Sequence, residues 1–293
     1  MPDLAAVFNL AHPLLTAFVF LFGLCMGSFL NVCIYRIPVG LSVVRPRSRC
    51  PGCEKSIAWH DNIPVLSYLA LRAKCRHCGM RIAVRYPLVE LLTACFFVLV
   101  WLKYAPESGA RALGLVPMMD AALLPVYWLM VFGLILGTFV DFDHMIIPDR
   151  VSLGGIVAGV LLSILVPALH GQSHWLASLK AAAIGAGVGW CTLWLIGVAG
   201  KLALRKDAMG FGDVKLMGAI GAFLGWQGVL FTLVASSFVG ALVGVGLVVG
   251  RRKDLQSRIP YGPYLALAAA LWMLWGQAWL DAYIRLLTPS PLL

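Results

Sequence analysis

Between Lys215 and Arg251 the chain runs for 35 residues without one charged side chain. As a single straight helix this stretch would be about 50 Å long, well beyond a bilayer hydrocarbon core of about 30 Å. It is expected to fold back once. The expected turn is Gly225-Trp226-Gln227-Gly228, where two glycines permit the reversal and an indole suits the membrane interface. Six further uncharged or nearly uncharged runs lie at about 14–33, 86–101, 121–140, 151–169, 181–200 and 261–280. Each is close to the roughly 20 residues that a crossing helix needs. The expected fold is therefore an all-α polytopic membrane protein with about eight transmembrane helices. Composition agrees: 61% of the 293 residues are apolar and 12% charged, which excludes an ordinary soluble enzyme.

Basic residues orient the helices. On a soluble chain a net charge of +10 would suggest a nucleic-acid partner; here none is expected, because the charge sits in loops. If residues 36–85 face the cytoplasm, eight crossings place 141–150, 201–215 and 251–260 there too. These segments hold nineteen of the 23 Lys and Arg, leaving Lys103, Arg111, Lys180 and Arg285 opposite and both termini outside. A single crossing over 216–250 would move Arg251, Arg252, Lys253 and Arg258 outside, an independent argument for the hairpin. The first run is expected to be retained as a helix, since Pro2-Asp3 stands where a signal peptide has a basic segment. The chain then divides into a first helix (1–35), a cytoplasmic loop (36–85) and a seven-helix membrane domain (86–293). No tandem repeat or low-complexity tract is evident.

The loop carries Cys50-Pro51-Gly52-Cys53 and Cys75-Arg76-His77-Cys78, two CxxC pairs separated by 21 residues. This spacing presents four thiolates tetrahedrally to one Zn²⁺, with Gly52 and Gly79 expected to supply the backbone freedom of the turns. Four thiolates leave no open coordination position, so the expected role of Cys50, Cys53, Cys75 and Cys78 is a structural zinc-ribbon-like staple in a segment too short for a stable core. Disulfides are the weaker reading in a reducing compartment. Cys25, Cys33, Cys95 and Cys191 lie in apolar runs and are expected to be small core residues, while His60 and His77 are expected at the surface. The ten basic residues of the loop are expected to meet anionic lipid headgroups.

Two acidic segments lie at the same expected membrane face. Asp141-Phe142-Asp143-His144-Met145-Ile146-Ile147-Pro148-Asp149 follows the third run directly, and Gly210-Phe211-Gly212-Asp213-Val214-Lys215 opens the long uncharged stretch. Carboxylates at a membrane boundary point into a bundle or a wet cavity and often mark function. Asp141 and Asp213 are the candidates, Asp213 also as a helix cap. Two carboxyls within a few ångströms share a proton: one can take a proton from an attacking water while the other donates to the carbonyl oxygen, as in aspartic proteases. From the residues alone the alternative stays open that both merely cap helices or meet headgroups. Asp143 and Asp149 are expected to be solvated or capping, His144 interfacial and Lys215 snorkelling. A metal site from Asp141, Asp143, His144 and Asp149 ranks low for want of a recognised ligand spacing.

Further motifs occur in order. They are Gly27-Ser28-Phe29-Leu30-Asn31-Val32 with Arg36-Ile37-Pro38, then Asp61-Asn62-Ile63-Pro64 between the CxxC pairs, and Arg85-Tyr86-Pro87-Leu88-Val89-Glu90. Next come Asp141 with five residues before Ile147-Pro148-Asp149, the GxGD of Gly210 to Asp213, and Ile259-Pro260-Tyr261-Gly262-Pro263-Tyr264. With them the chain resembles the type IV prepilin peptidases, the leader peptidases and N-methyltransferases of bacterial pilus and type II secretion systems. The resemblance covers most of the chain and departs only in small ways, with Ala73 where many relatives have glycine and Tyr261 where phenylalanine is frequent. It implies that Asp141 and Asp213 are the catalytic pair of a GxGD-type intramembrane aspartic protease in the bacterial inner membrane. It also implies prepilin and pseudopilin substrates, cut after a leader glycine on the cytoplasmic side. The new N-terminal residue, commonly phenylalanine, is then methylated from S-adenosylmethionine. No glycine-rich strand-to-helix turn marks a methyl-donor site, so its residues stay unassigned; Glu90 is the interfacial carboxylate to test first, against a role as a cap or a partner of Arg85. A basic loop repels a basic leader, so recognition is expected to rest on the apolar stalk and the small residue at the cut. The helix after Gly212 spans only about 18 Å over 213–224 and is expected to thin the bilayer or border a wet groove. A proton-coupled transporter or a noncatalytic assembly scaffold are the rival classes. A transporter would place its acids near the midplane of related halves.

Overall fold

The computed structural model describes residues 4–104, 121–205, 209–249 and 260–287, with side chains from residue 13 onward. Pro2, Asp3, Arg111, Arg251, Arg252, Lys253, Arg258 and Ile259, all weighed above, lie outside the described residues. The elements are α1 (Leu4–Arg36), α2 (Leu66–Ala70), α3 (Arg85–Tyr104), α4 (Leu123–His144), α5 (Asp149–Leu165), α6 (Trp175–Leu204), α7 (Phe211–Val249) and α8 (Gly262–Leu287). Among the described residues there is no strand, only two isolated bridges in the 36–85 loop.

The long uncharged stretch does fold back. Within α7 only Gly225 leaves helical geometry, at φ 70° and ψ 179°, and it divides the element into arms 211–224 and 226–249. A Cβ added to Gly221 would stand 2.9 Å from Val229 Cγ2; eight residues along a straight helix would be about 12 Å apart. The expected turn is therefore present and narrower than expected, a single left-handed glycine. Among the described residues six helices are long and apolar enough to cross a membrane, and the 37-residue one among them is the broken α7. Counting its two arms separately and adding the 17-residue α5, which the 3-10 turn Pro167–His170 prolongs, brings the number to the expected eight. The protein is a multi-pass membrane protein.

Glycines four residues apart decide which helices touch. Lipid offers no hydrophobic drive between helices, so close backbone approach through small residues has to hold them together. The chain divides into two compact units, Met1–Val140 and Asp141–Leu293. In the first, Gly23 and Gly27 of α1 press on α3: a Cβ at either would lie 2.6 Å from the Cα of Ala94 or Glu90. Phe97 of α3 stacks on Trp128 of α4 at 5.2 Å, and the Trp128 indole N–H donates to the Phe97 carbonyl. In the second unit Gly155 and Gly159 of α5 meet Ala219 and Ala222 of α7, while Gly185 and Gly189 of α6 lie against the carbonyls of Gly221 and Met217. The first arm of α7 is thus enclosed by α5 and α6, with Met217, Ile220 and Ala222 fully buried. One expectation is corrected: Cys33 is buried, but Cys25, Cys95 and Cys191 are exposed. Their helices face lipid, where an apolar side chain has no reason to turn inward.

Candidate active site and candidate metal centre

The four loop cysteines converge. Their sulfurs all lie within 4.8 Å of one another, and Cys50 Sγ is 3.7 Å from Cys78 Sγ. Metal–sulfur bonds of about 2.3 Å in a tetrahedron put neighbouring sulfurs roughly 3.8 Å apart, so the cluster fits one tetrahedral thiolate-bound ion. Two copies of one knuckle build it. The Cys50 N–H donates to Lys55 O and the Glu54 N–H to Cys50 O; twenty-five residues on, Cys75 N–H donates to Met80 O and Gly79 N–H to Cys75 O. The left-handed residue of each knuckle is Glu54 (φ 55°) and Gly79 (φ 69°). Gly79 plays its expected part, whereas the freedom assigned to Gly52 belongs to Glu54; Gly52 instead makes room for the Met80 side chain. The N–H groups of Cys78 and His77 pull the Cys75 thiol down to about 6. The Met80 N–H also draws the Cys78 thiol down, yet desolvation and the Cys50, Cys75 and Cys53 thiols outweigh it and push that group up to about 11. His60 and His77 are exposed, as expected. Between the knuckles Arg76 grips both oxygens of Asp61 at 2.6 and 2.8 Å, which holds that carboxyl below its ordinary range.

Asp141 and Asp213 both belong to the second unit. Both are buried, at 5% and 9% exposure, and close enough to interact electrostatically. Asp141 lies in the last turn of α4, which ends at Met145 in a left-handed conformation with its N–H closed on Asp141 O. The returning chain brings Ile147 against Gly212, whose absent Cβ would lie 3.3 Å from Ile147 Cβ. The loop after Asp141 is thereby seated on the GxGD segment. Asp213 is in the first turn of α7 rather than at its cap position. Its N–H donates to Gly210 O, and its carboxylate lies beside that glycine, where a Cβ on Gly210 would stand 3.1 Å from Oδ2. Asp213 thus stands inside the first turn, with its side chain turned into the packed helices.

A third segment completes the cluster. The Gly262 N–H, at the start of α8, donates to Asp141 Oδ2 at 3.0 Å. A helix N-terminus favours an anion there. A Cβ on Gly262 would lie 2.8 Å from the same oxygen, so this position has room for glycine alone. Tyr261 anchors the turn by hydrogen bonding to Ser236 at 2.7 Å and Ser237 at 3.3 Å on the returning arm of α7. The residues of this segment appear in the sequence motif, but their tie to Asp141 was not read there; Gly-Pro opening an apolar run is the signal for a helix N-terminus. Lys215, expected to snorkel, instead bonds Asp149 at 2.7 Å and covers the Phe211 ring. That pair joins the first turns of α5 and α7.

In the first unit Glu90 is a buried carboxylate, 8% exposed. Its Oε2 accepts the Val65 N–H at 2.8 Å, and Ser28 also bonds it. Arg85 turns elsewhere, donating to Phe139 O and covering that ring. The capping alternative for Glu90 is thus present, with the Val65 N–H as its partner.

The model of the bacterial peptidase A24 N-terminal domain matches residues 21–104, and that of the type IV leader peptidase family matches 128–245. A prepilin leader peptidase/N-methyltransferase of Aeromonas hydrophila is 39% identical over 94% of this chain and 97% of its own length. The chain belongs to the type IV leader peptidase family. Other relatives carrying the same description come from Pseudomonas aeruginosa, 34% identical over 94% of this chain and 96% of that protein, and from Myxococcus xanthus, 40% identical over 80% of this chain and 63% of that protein. No solved structure matches the chain. The leader peptidase match takes in α5, α6, most of α7 and both aspartates, and the N-terminal match takes in the cysteine knuckles and Glu90.

Proposed function

We propose that this chain is a membrane aspartic endopeptidase that removes the basic leader of type IV prepilins and type II secretion pseudopilins after glycine, on the cytoplasmic side of the bacterial inner membrane, and then N-methylates the new N-terminus. The observation that carries the peptidase reading is the gathering of Asp141 and Asp213 in one buried cluster, with the Gly262 N–H on Asp141 and Ile147 packed against both Gly212 and Gly262.

Asp141 and Asp213 are the catalytic pair. One carboxylate takes a proton from water as the water oxygen attacks the scissile carbonyl carbon, and the protonated partner donates to the carbonyl oxygen. Collapse of the tetrahedral species breaks the C–N bond, and the first carboxyl returns its proton to the departing amine. The two groups titrate as one unit, so activity against pH is bell-shaped with both limbs belonging to the pair. The Gly262 N–H holds one oxygen of Asp141 and leaves the other for water. The first arm of α7, 14 residues and about 20 Å long, is shorter than the hydrocarbon core, which brings Asp213 within reach of water. Cys50, Cys53, Cys75 and Cys78 bind a structural Zn²⁺, and the basic loop lies on anionic headgroups. S-adenosylmethionine supplies the methyl group in the second reaction. The acids gather with α4, α7 and α8 termini rather than near mid-helix, which favours the peptidase over a transporter.

The test is cleavage of a purified prepilin in detergent by Asp141→Asn and Asp213→Asn. Each is expected to lose at least a thousandfold in rate with zinc content unchanged; normal processing by either variant overturns the reading.

A further inference from the structure

The peptidase chemistry leaves one buried acid unused. Glu90 stands in the second turn of α3, held where α1 comes closest, because Gly27 has no Cβ to keep the two backbones apart. Among the described residues no lysine, arginine or histidine forms an ion pair with it. The Val65 N–H and Ser28 occupy two of the roughly four acceptor positions of a carboxylate, and among the described residues no further protein donor reaches it. A buried charge without a counter-ion is costly and, within a membrane helix, marks a function.

A second observation lies directly above it. Val65 has φ 59° and ψ −48°, a conformation a β-branched residue rarely adopts. The turn that imposes it is held by its own hydrogen bonds. The Ile63 N–H donates to Ser67 Oγ at 3.0 Å, and that hydroxyl donates to His60 O at 2.8 Å. Asn31 of α1 donates to Tyr86 O of α3 at 3.0 Å, a second tie between the two helices that hold Glu90. Strain of this kind persists where the surroundings hold a group for a purpose. A mere cap for one N–H would be served by a neutral glutamine, which accepts the same bond without the charge.

We infer that Glu90 is the anchor and proton acceptor for the α-ammonium group of the cleaved substrate, so that methyl transfer takes place at the α1–α3 pair beneath the 60–67 turn. The inference rests on the methyltransferase half of the proposed function. An ammonium nitrogen has no lone pair, so methylation needs a base. The ammonium gives one proton to Glu90. The freed lone pair bonds to the methyl carbon of a sulfonium donor, whose C–S bond breaks with its electrons left on sulfur as a neutral thioether. The product is a protonated secondary amine, and Glu90 releases its proton to water. The sulfonium itself is a cation that needs no base, and this proton balance is what selects the amine as the ligand of Glu90.

The experiment supplies the full-length protein in detergent with a synthetic peptide that already begins at the mature N-terminal phenylalanine, so methylation is read without cleavage. Equilibrium binding of that peptide and of its N-acetyl form is measured alongside, with no methyl donor present. Glu90→Gln is expected to lower methylation at least a hundredfold and to abolish a tenfold or greater preference for the free over the acetylated terminus. Leader removal, a separate reaction, and zinc content report on folding and are expected at wild-type level. Methylation within twofold of wild type, or an unchanged preference for the free terminus, overturns the inference. Loss of cleavage or of zinc together with methylation makes Glu90 a structural cap and overturns it as well. If the wild-type protein does not methylate this peptide, the methyltransferase reading itself fails.

Discussion

Replacing Gly262 with alanine puts one methyl group against the Asp141 carboxylate. The new Cβ would stand 2.8 Å from Oδ2 and 3.2 Å from Ile147 Cδ1, where ordinary contact begins at 3.4 Å. The carboxylate, or the start of α8, has to move by about 0.6 Å, and a misplacement of about 1 Å at a reacting group costs about a hundredfold. That displacement alone gives about a tenfold loss. Stretching the 3.0 Å Gly262 N–H bond to Oδ2 costs about 1 kcal/mol more, roughly another fivefold. The expected loss is therefore between tenfold and a hundredfold, carried by kcat, because the stalk-binding surface is untouched. Alanine suits a helix start better than glycine does, so global stability is expected to hold. Single-turnover cleavage of a purified prepilin in detergent measures the effect. Gly240→Ala is the matched control, since a Cβ there meets Tyr264 at an ordinary 3.5 Å. If Gly262→Ala cleaves within twofold of wild type while Asp141→Asn is inactive, the Gly262 contact does not position the acid.

Two further outcomes follow from the same geometry. Metal analysis is expected to find about one Zn²⁺ per chain, lost on Cys50→Ser; because thiolates bind the ion, loading falls as pH drops below about 6, where even the favourably placed Cys75 is protonated, and recovers as pH rises. A pH-independent zinc content between pH 8 and 5 would contradict a four-thiolate site. The Lys215–Asp149 pair, with Asp149 63% exposed on its side chain, is expected to contribute no more than about 1 kcal/mol to holding the first turns of α5 and α7 together. Lys215→Asp and Asp149→Lys should each slow cleavage severalfold, and the double swap should restore most of it; a double variant as slow as the product of the two singles would show that the charges act separately.

Much of the membrane architecture was legible one residue at a time. A 35-residue uncharged stretch cannot cross a bilayer straight, and the Gly225 break is the consequence. The cysteine knuckles were legible because a CxxC pair is a local device whose spacing already fits a metal. Gly23 with Gly27, Gly155 with Gly159 and Gly185 with Gly189 carried the helix-pairing signal at four-residue spacing, yet spacing does not name the partner helix. The three lipid-facing cysteines were misplaced because burial in an apolar run does not follow from hydrophobicity when the solvent is itself apolar.

Charge distribution, run length and cysteine spacing suffice for a many-helix membrane protein with a four-cysteine loop and two acids at the ends of apolar runs, since each depends on neighbours close in the chain. That Asp141 meets the N–H of Gly262, 121 residues away, and that Glu90 lies under the strained Val65, was decided only by packing. An apolar helix can turn any of its faces toward lipid at little cost. Close contacts between glycine-bearing helices, formed after the chain has folded back on itself, select one face and with it the neighbours of each buried acid.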